Sequence, residues 1–256
     1  MIQSDGERLG LITKLHFSRF EFKYLLPAGL RREVESELSH FVELDPYVVG
    51  KENHQYLVRS LYFDDWRYSN YYEKIDGMMK RAKFRVRTYT DDPAEDCASF
   101  LEVKGRYGGL VFKHRSPLSD PAVGELSASK GNPGELIAKR AESSPVVQQF
   151  RFEVERKRLR PCMLIDYGRR PYVSRYAPEF RLTFDDELRA THTQLLHPRR
   201  EQRRSILPGY TILEVKFRFH VPSWFHRIIQ SYELGRVSIS KYCRGVEAFR
   251  LTPHLE

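Results

Sequence analysis

Residues 80–89 read KRAKFRVRTY, and their alternation decides the fold. Successive side chains of an extended chain point to opposite faces. Arg81, Lys83, Arg85 and Arg87 therefore share one face, and Ala82, Phe84 and Val86 take the other. The same parity recurs on both sides of this stretch. Upstream, Arg19, Glu21 and Lys23 alternate with Phe20, Phe22 and Tyr24. Downstream, Glu102, Lys104 and Arg106 stand opposite Leu101 and Val103, and Lys113 and Arg115 share a face. Arg181, Thr183 and Asp185 share another, and Glu214, Lys216 and Arg218 stand opposite Leu213, Val215 and Phe217.

One such strand is what any antiparallel sheet with a solvated face contains. Six of them, with helices apolar enough to cover a sheet, predict an α+β fold: a closed antiparallel β-barrel with helices packed outside and charged faces turned inward. Arg and Lys inside a barrel repel one another unless an anion fills the space. Glu21, Glu102 and Glu214 are too few to balance them. The lumen is therefore expected to be a tunnel for a multiply charged, phosphate-rich anion. With it comes a divalent cation, Mg²⁺ or Mn²⁺, on one or more of these carboxylates.

Composition agrees. The 256 residues carry 43 Lys+Arg against 34 Asp+Glu, a net +9, and the excess is Arg-heavy, with 30 Arg and 13 Lys. The planar Arg fork suits bidentate phosphate contacts. Hydrophobic residues at 41% rule out wholesale disorder, and the length suits a single domain over 1–256 with its core at 17–245. No run of ~20 apolar residues is present to span a membrane. The first residues lack a signal peptide's apolar core. Cys97, Cys162 and Cys243 are odd in number with no CxxC, against a disulfide scaffold or a Cys-based zinc site. A cytoplasmic setting is the expectation. No P-loop or dinucleotide-binding glycine motif occurs, and the nine His lack metal-ligand spacing. Arg199, Arg200, Arg203 and Arg204 read as an exposed basic loop, a weak case for nucleic acid because no base-stacking platform accompanies it.

Helices are expected at 28–44, where Leu30, Val34, Leu38 and Phe41 form a stripe, and at 66–75, 145–159 and 222–234. Strands are expected at 16–26, 56–64, 80–89, 99–106, 110–115, 161–167, 171–176, 179–185 and 210–219. Residues 107–109 read as a hairpin turn, and the polar, Pro- and Gly-punctuated stretch 116–144 as a long loop, a mobile lid or a small helical excursion. Trp66 and Trp224 read as packing anchors.

In order, RFEFKYLL (19–26), SLYFDD (60–65), KFRVRTY (83–89), FLEVKGR (100–106), VFKHR (111–115), YGRRPY (167–172), RLTFDDEL (181–188), ILEVKF (212–217) and SKYCRG (240–245) resemble the catalytic domain of vacuolar transporter chaperone polyphosphate polymerases. Those enzymes sit within the CYTH-like, or triphosphate tunnel metalloenzyme, superfamily. The resemblance spans nearly the whole chain. It implies a β-barrel tunnel and transfer of the ATP γ-phosphate to a growing polyphosphate chain with Mn²⁺ or Mg²⁺. It also implies roles. Lys23, Arg85, Arg87, Lys104, Arg169 and Arg181 would act on the reacting phosphates. Lys74, Lys113, Tyr167, Ser240 and Lys241 would bind phosphate. Glu214 would hold the metal, with Glu21 and Glu102 as weaker candidates.

Two departures matter. Hydrolytic tunnel enzymes open with Glu-x-Glu-x-Lys, where this chain has Arg19-x-Glu21-x-Lys23, which argues against a dedicated triphosphatase. The membrane helices and regulatory domain of the eukaryotic polymerases are not in this sequence, so the expectation is a stand-alone catalytic domain or one held at a membrane by a separate membrane-protein partner. The alternatives are a triphosphatase or nucleoside triphosphatase in the same tunnel, and a non-catalytic polyphosphate sensor.

Overall fold

The computed structural model describes residues 20–107, 110–119, 123–124, 126, 135, 137, 141 and 143–252. Arg19, the tip of the predicted hairpin turn and most of the predicted loop at 116–144 lie outside them. One antiparallel sheet organises the chain: β1 (Phe20–Pro27), β2 (Val42–Leu44), β3 (Tyr56–Asp64), β4 (Lys80–Thr88), β5 (Ser99–Tyr107), β6 (Leu110–Leu118), β7 (Arg160–Ser174), β8 (Arg181–His192), β9 (Arg203–Ser205) and β10 (Tyr210–Phe217). The strand order is β1-β10-β8-β7-β3-β4-β5-β6, with β2 on β7 and β9 on β8.

The apolar parity is buried as the alternation requires. Helix α1 (Ala28–Leu38) and helix α4 (Ser223–Ser231) cover the outer face of β1, β10 and β8, where Val34, Leu38, Trp224 and Phe225 meet Leu182, Phe184, Leu213 and Val215. Helix α3 (Pro145–Lys157) covers β3, β4 and β5 through Val147, Phe150 and Val154 against Leu61, Phe84, Val86, Leu101 and Val103. Burying each such side chain contributes about 1.5–3 kcal/mol. Helix α2 (Ser69–Ile75) follows β3. Gly105 is demanded by packing. It faces Phe112 across the β5–β6 pair, and a Cβ there would lie 2.0 Å from the ring.

The last helix, α5 (Lys241–Ala248), departs from the expectation that all helices pack outside. Tyr242, Cys243 and Val246 pack on Val58, Tyr62, Met163, Ile165 and Ile212, residues of the opposite, concave parity. A Cβ at Gly245 would come within 2.9 Å of Ile165, so the helix lies close on the sheet. The expected closed barrel is likewise corrected to an open, curled sheet. Among the described residues no backbone pairing joins β1 to β6. Only side chains bridge the gap, with Lys104 Nζ 3.0 Å from Glu21 Oε1.

Smaller corrections have local causes. The helix predicted over 28–44 stops at Leu38, because β7 continues past the end of its pairing with β3 and Val42–Leu44 takes the freed backbone groups. The strands expected at 161–167 and 171–176 are one continuous β7, bulged between Asp166 and Gly168. Trp224 anchors packing, stacked 4.7 Å from Phe41, whereas Trp66 is 65% exposed. In the predicted basic loop, Arg199 and Arg200 are exposed, but Arg203–Ser205 pairs with β8 and Arg204 bonds the Ala248 carbonyl.

Candidate phosphate-binding site

The concave face carries the charges that strand parity assigned to it, and two buried carboxylate centres organise them. The first is built where β10, β8, β7 and α5 meet. Glu214 Oε1 lies 2.7 Å from Lys241 Nζ and 3.4 Å from Lys23 Nζ, while Oε2 lies 2.9 Å from Arg169 Nη2. Asp185 completes the centre. It accepts from Arg169 Nε at 2.6 Å and from Nη2 at 2.7 Å, and Lys241 Nζ reaches it at 2.6 Å. Asp185 was not among the residues the resemblance singled out, although its parity with Arg181 and Thr183 places it on this face.

The second centre is Glu102 on β5, 1% exposed. Arg85 grips one oxygen with Nε at 2.8 Å and Nη2 at 2.6 Å. Lys113 Nζ lies 2.9 Å from the other, and Arg87 Nη1 lies 3.8 Å away. The arginines are held from their far side too. Arg85 donates to the Tyr62 hydroxyl at 2.9 Å, and Arg87 to Ser60 Oγ at 3.1 Å and the Tyr167 hydroxyl at 3.3 Å. The β3–β4 register, Ser60 opposite Arg87 and Tyr62 opposite Arg85, makes these bonds. Lys241 lies over the Tyr167 ring, 4.7 Å from its centre.

Between the centres runs a row of lysines. Lys83, Lys104 and Lys113 face one another across β4, β5 and β6. Glu21 links this row to the first centre, bonding Lys104 at 3.0 Å and lying 3.4 Å from Lys23. Lys216 and Arg181 are paired in register at the rim, with Arg181 exposed. Lys74, on α2 beside Arg81, Lys83 and Lys23, donates to Ser238 Oγ at 2.9 Å. Ser240 has a different task here from phosphate contact: its hydroxyl caps α5, accepting from the Cys243 N–H at 3.3 Å. Sequence reasoning thus missed Asp185, Lys216, Lys83 and Tyr62. Parity flagged the first three, and nothing local flagged Tyr62.

Electrostatics follow from this crowding. Burial and the neighbouring Glu214 would raise Glu21, but Lys23, Lys104 and Lys216 outweigh them and hold it at about 2. Burial would also raise Glu214, yet Lys241, Lys23 and Arg169 keep it well below the carboxylate range. Glu102 is likewise lowered by Arg85, Arg87 and Lys113 against its burial. Burial, then Arg169, push Lys216 down to about 8, partly offset by Glu214.

These depressed carboxylates make a prediction. A group whose folded pKa lies below its unfolded value stabilises the fold above the unfolded pKa and loses that contribution as pH falls through the folded one. The thermal midpoint is therefore expected to drop as pH falls from about 4.5 towards 2. In Glu102→Gln the drop should be shallower, as measured by calorimetric melting across that window. An equal slope in the two proteins would disprove the assignment.

The donor set is compatible with a hard divalent cation. Glu21 and Glu214, both ionised at neutral pH, flank the single Lys23 ammonium. Mg²⁺ and Mn²⁺ take one or two carboxylates and draw their remaining ligands from water and phosphate. Among the described residues no three acidic, His or Cys side chains form a preformed metal cage. Glu102, enclosed by Arg85, Arg87 and Lys113, is arranged to position cations.

A family model described as the VTC domain matches residues 18–250. Among solved structures, the PH1819 protein of Pyrococcus horikoshii OT3 is 10% identical with a TM-score of 0.44, over 90% of this chain and 97% of that one. HpAC1 of Hippeastrum, an adenylyl cyclase candidate with a dominant triphosphatase activity, is 15% identical with a TM-score of 0.48, over 89% and 94%. The triphosphatase of the Mimivirus capping enzyme is 9% identical with a TM-score of 0.35, over 84% and 88%. No curated protein matches the chain.

Proposed function

The chain belongs to the VTC domain family, and on that premise we propose that it is a divalent-metal-dependent phosphotransferase that moves the γ-phosphate of ATP onto an inorganic polyphosphate chain. The observation that carries the reading is the concave face itself, where Lys and Arg side chains outnumber the carboxylates and leave charge for a polyanion to neutralise. Phosphoryl transfer asks a protein chiefly for positioning and charge stabilisation. Arg85 and Arg87, held by Glu102, Tyr62, Ser60 and Tyr167, would present fixed donors to the transferring group. Lys104, Lys113 and Lys83 would line the polyphosphate, with Lys23, Arg169 and Lys241 around the metal-holding Glu214. Arg181 and Lys216 would meet the chain at one end of the face, and Lys74 would meet it beside Arg81 and Lys83. Glu214, with Glu21, would hold a Mg²⁺ or Mn²⁺, which when bound would supply charge neutralisation to the phosphates. A terminal oxygen of the acceptor attacks the γ-phosphorus, a new P–O–P anhydride forms, the β–γ bridge breaks, and ADP leaves with the bonding pair.

Transfer to phosphate is favoured over hydrolysis by the character of the acids. Glu21 at about 2 and Glu214, held well below the usual carboxylate range, are weak bases, poorly suited to activating water. A phosphate terminus is already anionic and needs no such base. The absence of the first glutamate of Glu-x-Glu-x-Lys, with Arg19 in its place, points the same way. The test is incubation with ATP, Mn²⁺ or Mg²⁺ and a short polyphosphate primer. Ladders of longer chains with ADP are expected, lost on chelation by EDTA. Orthophosphate with ADP and no elongation would establish the triphosphatase reading. Tight anion binding without turnover, surviving Glu214→Ala, would establish the sensor.

A further inference from the structure

We propose that the turn between α2 and β4, with the adjoining end of β5, is a membrane-contacting edge that docks on an anionic lipid surface. This turn leaves three apolar side chains in water: Ile75 is 54% exposed, Met78 52% and Met79 74%. Tyr107, 66% exposed, is brought beside them because the β4–β5 register sets it opposite Lys80. Isolated exposed apolar residues are ordinary, but a contiguous group ringed by polar ones marks an interaction surface.

The ring is basic. Lys80 is exposed, Arg81 and Arg106 face each other one step along the register, and Lys74 ends the preceding helix. Of the nearby acids, Glu73 is bound to Lys157 at 2.6 Å, leaving Asp76 as the exposed one. Burial, then Arg106, depress Arg81, with Glu73 pulling the other way. The shape favours lipid over a protein partner. The apolar atoms project from a chain reversal, made at Gly77 with φ of +69°, rather than lining a recess. Flexible methionines and long lysine stems that carry their charge outward suit an interfacial insertion with headgroup contacts.

The test is flotation of the full chain with vesicles of phosphatidylcholine alone and with about 30% phosphatidylserine. Binding is expected only to the anionic vesicles. Met78→Ser with Met79→Ser should weaken it by about tenfold, whereas Arg199→Gln with Arg200→Gln, on the far basic segment, should leave it near wild type. Melting curves confirm that both double variants are folded. The proposal is overturned if wild type fails to float, if the serine variant floats like wild type, or if only the Arg199 and Arg200 variant loses binding. It is also overturned if the serine substitutions instead abolish a concentration-dependent self-association with no vesicle binding, which would make the patch a protein interface.

Discussion

Arg85→Ala is expected to lower phosphoryl transfer by about 10²–10³-fold while the protein stays folded. Arg85 bridges the Glu102 carboxylate and the Tyr62 hydroxyl, so its guanidinium is fixed before any substrate arrives. A preoriented donor aimed at developing charge costs no reorganisation during the reaction, and its loss is felt in kcat. The fold should survive because Glu102 keeps Lys113 at 2.9 Å and Arg87 at 3.8 Å, so the buried carboxylate is not left alone. Arg85→Lys restores the charge without the fork and should recover only a small part of the rate. Product gels and melting curves on the same samples check both halves. Retention of more than about a tenth of wild-type turnover would remove Arg85 from the reacting site.

The largest effect on stability is expected from Lys241→Met. Lys241 is 7% exposed and its ammonium joins Asp185 at 2.6 Å to Glu214 at 2.7 Å. Burial opposes its charge, but Asp185 and Glu214 hold its pKa above the ordinary lysine value. A raised lysine contributes stability that is fully present below the unfolded pKa, so the whole contribution is in force at pH 7. Methionine fills the space but leaves two buried carboxylates sharing Arg169, and breaking a buried ion pair on one side costs about 3–5 kcal/mol. The deficit should shrink as pH falls towards 4, because without Lys241 the buried Glu214 takes up a proton more readily and the repulsion in the variant is removed. Denaturant unfolding at pH 7 and pH 4 reads this directly. A loss below about 1 kcal/mol at pH 7 would overturn the role of Lys241 in holding the two carboxylates together.

Much of the fold was legible because a strand's parity is a local property. The alternation in 80–89 assigned Arg85 and Arg87 to one face and Phe84 and Val86 to the other without knowledge of any neighbour, and both faces are occupied as assigned. The same holds for Glu214 against Leu213 and Val215. Local pattern failed where a distant segment decided the outcome. The stripe of Leu30, Val34, Leu38 and Phe41 carried the expected helix on to 44, yet 42–44 form a strand because β7 offers a free edge. Helix α5 serves two ends at once, with apolar residues for the concave sheet and Lys241 for its acids.

By itself, then, the sequence determined which residues face the concave side and that this side carries excess positive charge. Those facts follow from two-residue periodicity and a count of charges. Only the tertiary structure decided which cation meets which carboxylate. The pairings of Arg85 with Glu102, Arg169 with Asp185, and Lys241 with Glu214 depend on strand register and on where the last helix lands. The same packing seats α5 on the concave side of the sheet, where Gly245 lets it lie close against Ile165 and Met163 because no side chain intervenes.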